Sequence, residues 1–168
     1  MNQSSDYATD LTQSSSLSPD HFLVELAKDI LGKGVDCRLE VKGFSMAPFI
    51  KDGDVLTLVP LEGSSPVSGD VVAFFRPGTE KLTIHRVLRE EGDSCWIRGD
   101  NALQADGLIP KTSILGQVRR VERNGKRVFL GLGPERFLIA LLTRTNLLLP
   151  VLRRVWRIFR PIKRVFSS

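Results

Sequence analysis

The spacing of apolar positions along the 168-residue chain changes three times. Residues 1–17 are rich in Ser, Thr, Asn, Gln and Asp. They carry too little apolar surface to offset chain entropy, so a disordered segment is expected. Ser18-Pro19 then reads as an N-cap followed by proline in a first helical turn. Phe22, Leu23, Leu26, Ile30 and Leu31 recur at helical spacing, and Gly32 and Gly34 can end that helix. From Asp36 the period becomes two: Cys37, Leu39 and Val41 alternate with Arg38, Glu40 and Lys42. Further strands are predicted over 54–59, 70–75, 82–88, 95–98 and 116–122, separated by the turn clusters "EGSSPVSGD", "RPGTEK", "EEGD" and "GDNALQADG". Asn124-Gly125 predicts a hairpin with 126–130 as its return strand. After Gly133-Pro134 the helical period returns. Val151, Leu152, Val155, Trp156 and Phe159 fall on one face and Arg153, Arg154, Arg157 and Arg160 on the other, with Pro150 suited to the start and Pro161 to the end.

These elements predict a mainly β fold: a polar segment over 1–17, a helix plus compact β domain over 18–133, and a basic amphipathic helical tail over 134–168. Nine prolines and fourteen glycines agree with many turns. Charge sharpens the division. From Pro134 onward eight Lys/Arg meet one acid, Glu135, so the tail carries +7 and the remainder −2 of the net +5. Partners attracted by charge would therefore meet the tail. The only cysteines, Cys37 and Cys95, fit no metal spacing and read as buried thiols of a reducing compartment, with a disulfide left open. The N-terminal segment shows no secretory leader. No apolar run reaches the roughly 18 residues of a membrane span. The nearest, "FLIALLTRTNLLLPVL", is broken by Thr143-Arg144-Thr145-Asn146 and Pro150.

Two positions raise a chemical question. Ser45 lies in "GFSMAPFIKDGD", between a glycine turn and a proline. His85 lies inside the strand "TIHRVL". A serine hydroxyl is a weak nucleophile until a rigidly held base takes its proton. A β scaffold can bring these positions together across forty residues, although a serine in a Gly/Pro loop is ordinarily a turn residue and a strand histidine ordinarily a surface or core residue.

"GFSMAPFIKDGDVL", "SGDVVAFF", "IHRVL" and "RGDNALQADG" follow in this order. Together they resemble the motif series of the signal peptidase I family and the related LexA-type self-cleaving repressors, over about residues 41–121. The resemblance makes Ser45 the nucleophile, in Ser45-Met46-Ala47-Pro48. Gly69-Asp70-Val71 matches the next strand, His85 before Arg86-Val87 the general base, and Gly99-Asp100-Asn101 the final box. Bacterial signal peptidases and LexA-type proteins carry lysine where His85 stands. Histidine is similar to the endoplasmic-reticulum and archaeal type of signal peptidase, which implies a supporting aspartate, with Asp100 the first candidate and Asp106 the second. Lys81, on the same strand face as His85, is the rival base; it, Lys42 and Lys51 read as solvated charges. Gly43 and Ser45 are the candidates for the turn and the oxyanion site. Phe44, Met46 and Pro48 are the candidates to line the substrate, with loop packing and backbone restraint as the plainer roles of Met46 and Pro48, and a lipid contact a further one for Met46.

The resemblance implies a serine endopeptidase acting on a precursor peptide through a Ser45/His85 dyad, without metal or cofactor. Two other readings stand beside it: a LexA-type self-cleaving regulator, and an inactive peptide-binding module. The regulator fits less well, because the forty residues before the core are too few for a helix-turn-helix domain and the chain has no Ala-Gly dipeptide. The tail suggests peripheral contact with a membrane through its apolar face and arginines, and no nucleic-acid recognition fold accompanies its charge. The missing leader suggests the cytoplasmic side, which conflicts with secretory signal peptidases, whose catalytic domains face outward.

Overall fold

The computed structural model describes residues 19–61, 63–76, 79 and 81–159. The polar segment 1–17, the Ser18 cap and the stretch from 160 onward, including the Pro161 stop, lie outside them. So do the side chains of Phe22, Leu23 and Phe159.

Among the described residues eight strands form one antiparallel sheet: β1 (Cys37–Glu40), β2 (Val55–Val59), β3 (Val71–Phe75), β4 (Leu82–Glu91), β5 (Ser94–Arg98), β6 (Gly107–Pro110), β7 (Ile114–Arg123) and β8 (Lys126–Val128). Their order is β1-β2-β7-β3-β4-β5-β6, with β8 paired to β7 across the Asn124-Gly125 turn. The mainly β expectation therefore holds. β6 was not foreseen. It lies at the end of the "GDNALQADG" turn cluster, and only Ile109 of its four residues is buried.

Consecutive strand residues face opposite sides of a sheet. In β3 both sides are covered. Val71 and Ala73 join a core with Leu56, Leu58, Val118 and Val121. Val72 and Phe74 join a second with Val87, Ile97 and Ile109. This explains why β3 reads as a nearly unbroken apolar run. Helix α1 (Pro19–Gly32) closes the first core with Ala27 and Leu31. Cys37 and Cys95 are free and buried, one in each core, and burial raises both thiol pKa values.

Beyond β8 the described residues form two helices, α2 (Arg136–Arg144) and α3 (Leu148–Phe159). α2 packs against β4. Ile139 of α2 and Leu148 of α3 form a third apolar cluster with Phe49, from the loop that carries Ser45. The turn between the helices ends on Asn146 with φ 59°, a left-handed conformation that asparagine tolerates. Among the described residues no helix is long and apolar enough to cross a membrane.

Candidate active site

The loop between β1 and β2 is fixed at its base. The Val41 N–H donates to the Asp54 carbonyl and the Gly53 N–H to the Val41 carbonyl, each at 2.9 Å. Two aspartates hold its interior. Asp52 accepts the Gly43 N–H at 2.7 Å, and Asp54 accepts the Lys51 N–H and two bonds from Arg123. Burial alone would raise the Asp54 carboxyl, but these hydrogen bonds and the Arg123 charge hold it below the usual range. Met46 and Ile50 drop into the first core and Phe49 into the third cluster, so the loop is anchored from within and Ser45 is left exposed.

His85 lies in β4, 4% exposed, paired with Val72 of β3. Its Nε2 is 2.9 Å from Ser45 Oγ and its Nδ1 is 2.5 Å from Asp106 Oδ2. An ionised carboxylate only accepts, so Nδ1 carries the proton and Nε2 accepts from the serine hydroxyl. Burial would raise the Asp106 carboxyl. Hydrogen bonds and charge from His85 and Arg76 outweigh it and keep the group below the ordinary carboxylate range. The Arg76 guanidinium bonds the other Asp106 oxygen.

The Gly-Asp-Asn box completes the frame. The Asn101 N–H donates to the Ser45 carbonyl at 2.7 Å, and its Nδ2 to the Phe44 carbonyl at 3.1 Å. Gly99 packs so closely that a Cβ there would lie 2.6 Å from the Ser45 oxygen and 2.8 Å from His85 Nε2. The box thus touches both members of the pair, and glycine is the residue that leaves room for them.

A serine hydroxyl, an imidazole and a carboxylate thus stand in one hydrogen-bonded line, an arrangement that serine-type hydrolysis can use. The sequence profile described as Peptidase S24-like matches residues 9–119. The chain belongs to the Peptidase S24-like family. No curated protein matches it. Membership makes it a relative of serine peptidases and accords with the β core. Ser45, His85 and Asp106 of the Peptidase S24-like chain all lie within the matched residues.

The structure redistributes several expected roles. Asp100, the first candidate for the orienting acid, faces away from His85. It is fully buried against Arg86, which binds it through Nε at 2.8 Å and Nη2 at 2.7 Å. Asp106, the second candidate, faces the imidazole instead. Gly43 has φ 104°, so glycine suits its turn, but its N–H is already bonded to Asp52 and is not offered to an oxyanion. Among the described residues the Ser45 and Met46 N–H groups have no acceptor. Met46 is 4% exposed, in the core, and is removed from both substrate and lipid contact. Phe44 is exposed beside Ser45, and Pro48 is exposed on the same loop. Lys81 is exposed just before β4, about 13 Å along the strand from His85 at ~3.3 Å per residue. Lys42 and Lys51 are exposed, as expected. Arg76 and Arg86 were not singled out in the sequence; the Arg-Val pair after His85 was the available signal for the latter. Among the described residues no cluster of His, Cys, Asp or Glu is arranged to hold a metal.

Proposed function

We propose that the chain is a serine endopeptidase that cleaves a precursor peptide through Ser45, His85 and Asp106. The observation that carries this reading is the continuous contact from Ser45 Oγ through the imidazole to Asp106. His85 Nε2 takes the hydroxyl proton as Ser45 Oγ bonds the scissile carbonyl carbon. The C–N bond then breaks and the imidazolium returns that proton to the leaving amine. Water, deprotonated by the same imidazole, then bonds the acyl carbon, the ester bond to Ser45 Oγ breaks, and the imidazolium returns the proton to Oγ. Asp106 holds the tautomer throughout, and the Ser45 and Met46 N–H groups, without acceptors among the described residues, are the donors left for the oxyanion.

The same proposal places the reaction at a membrane surface, with the enzyme bound peripherally. Val151, Val155 and Trp156 of α3 are exposed, Trp156 to 72%, beside exposed Arg153, Arg154 and Arg157. Each arginine near an anionic surface contributes on the order of 1 kcal/mol.

The test is covalent labelling by a serine-reactive penem on anionic vesicles, from pH 5 to 9. Labelling should require both Ser45 and His85. A folded wild-type protein that is not acylated, with the probe shown to reach Ser45, would favour a peptide-binding module. Loss of intact chain in wild type but not in Ser45→Ala, without added substrate, would favour self-cleavage.

A further inference from the structure

The family match ends at residue 119, and α2 and α3 lie wholly beyond it. Yet the two helices reach the supports of both halves of the dyad. On the nucleophile side, Phe49, four residues after Ser45, is buried against Ile139 and Leu148, with Leu142 and Leu152 packed around them. On the base side, Thr143 of α2, 2% exposed, donates its hydroxyl to Asp100 Oδ1 at 3.4 Å. Asp100 stands between Gly99, which touches Ser45 and His85, and Asn101, which holds the Phe44 and Ser45 carbonyls.

Arg98 makes the link a clamp. It carries β5 into the box, and its Nε and Nη2 bond the Ala102 carbonyl at 2.9 and 2.7 Å. Its remaining Nη1 reaches Asn146 Oδ1 and the Thr143 carbonyl in the α2–α3 corner. A further tie comes from Arg86, next to His85, which donates to the Gly131 carbonyl at 2.9 Å. The Gly131 and Gly133 N–H groups in turn bond the Glu135 carboxylate just before α2.

We propose that the α2–α3 corner is a positioning element of the active site, in which Thr143 and Asn146 hold the box over residues 99–102 in the place that aligns Ser45 with His85. Neither residue touches the reacting atoms; both act through Asp100 and Arg98. The proposal rests on the serine peptidase reading above.

The experiment compares the full chain with Thr143→Val/Asn146→Gly. Valine keeps the shape of threonine without its hydroxyl. Glycine accepts the left-handed backbone at 146 without the amide. The limiting acylation rate should fall about tenfold, as expected for misplacement by a fraction of an ångström. The half-saturating probe concentration should stay unchanged, and Thr143→Ser should label within about twofold of wild type. A wild-type limiting rate in the double variant overturns the proposal. So does a loss of rate that merely tracks the unfolded fraction measured by circular dichroism.

A second readout separates failure of the brace from failure of the chemistry. The chain has two histidines, His21 and His85, so the imidazole ¹⁵N resonances can be assigned with one variant. If the folded wild type is not acylated by a probe shown to reach Ser45, the peptidase reading falls. The brace then still requires the double variant to shift the His85 resonances, and unshifted resonances overturn it.

Discussion

Gly99→Ala tests the site most directly. The added Cβ would stand 2.6 Å from the Ser45 oxygen, 2.8 Å from His85 Nε2 and 3.0 Å from His85 Cδ2. Ordinary contact begins near 3.5 Å, so the methyl must drive these groups back by about 0.5–0.9 Å. Neither can yield freely. The Ser45 carbonyl is held by the Asn101 N–H, and the imidazole is held by Asp106 on one side and Ser45 on the other. Overpacking of this kind costs about 1–3 kcal/mol, partly offset by about 0.4–1 kcal/mol from the stiffer unfolded chain. At roughly 2–4 °C per kcal/mol for a chain of this size, Tm should fall by only a few degrees. The effect on acylation should be larger, on the order of 10²-fold for displacement approaching 1 Å. Penem labelling rates and thermal unfolding would be measured together. Gly32→Ala serves as control, since a Cβ there meets nothing within 4 Å. A Gly99→Ala protein that labels at the wild-type rate would refute the close approach and, with it, the box's part in the site.

Asp106→Asn should keep the fold but deny His85 its tautomer, lowering the acylation rate on the order of 10³–10⁴-fold; a loss under tenfold would return the orienting role to another group. Arg86→Ala should leave Asp100 as an unpaired buried charge and reduce unfolding free energy by about 3–5 kcal/mol in urea titration, against less than 1 kcal/mol if the pair is not buried. The folded pKa values of Asp54 and Asp106 are depressed, so each contributes stability above its unfolded value, near 3.9, and loses it as pH falls through the folded value. Tm should therefore decline below about pH 4, and Asp54→Asn should be less stable at pH 7 yet decline less steeply in acid. An equally steep decline would show that Asp54 is not depressed.

Much of the fold was legible because period-two alternation announces a half-buried strand wherever one face is wet. β6 escaped because four residues bounded by Gly and Pro show no period. Ser45 and His85 stood out through four motifs in order. The exchange between Asp100 and Asp106 was not legible. Both lie in a turn-rich segment, and either can bond its own backbone. What separates them is that Arg86 turns inward and takes Asp100, while the β5–β6 register, with Ile97 opposite Gly107, brings Asp106 beneath the imidazole. Burial of an arginine at 0% exposure runs against its usual preference, so spacing alone could not announce it. The packing role expected of Met46 holds, while its substrate and lipid roles do not, since the motif says nothing of which way the loop turns.

The sheet order has a consequence for when the Ser45–His85 contact can first form. β2 must find β7 some sixty residues downstream, with Val55 opposite Glu122, before the floor beneath the Ser45 loop exists. Loop-closure entropy must be met before such distant contacts give anything back, so pairing of this kind forms slowly and nearly all at once. A chain emerging from the ribosome would carry Ser45 and His85 long before β7 could complete the sheet that brings them together. Ser45 would then remain an ordinary loop hydroxyl until synthesis had passed the last strand that frames it.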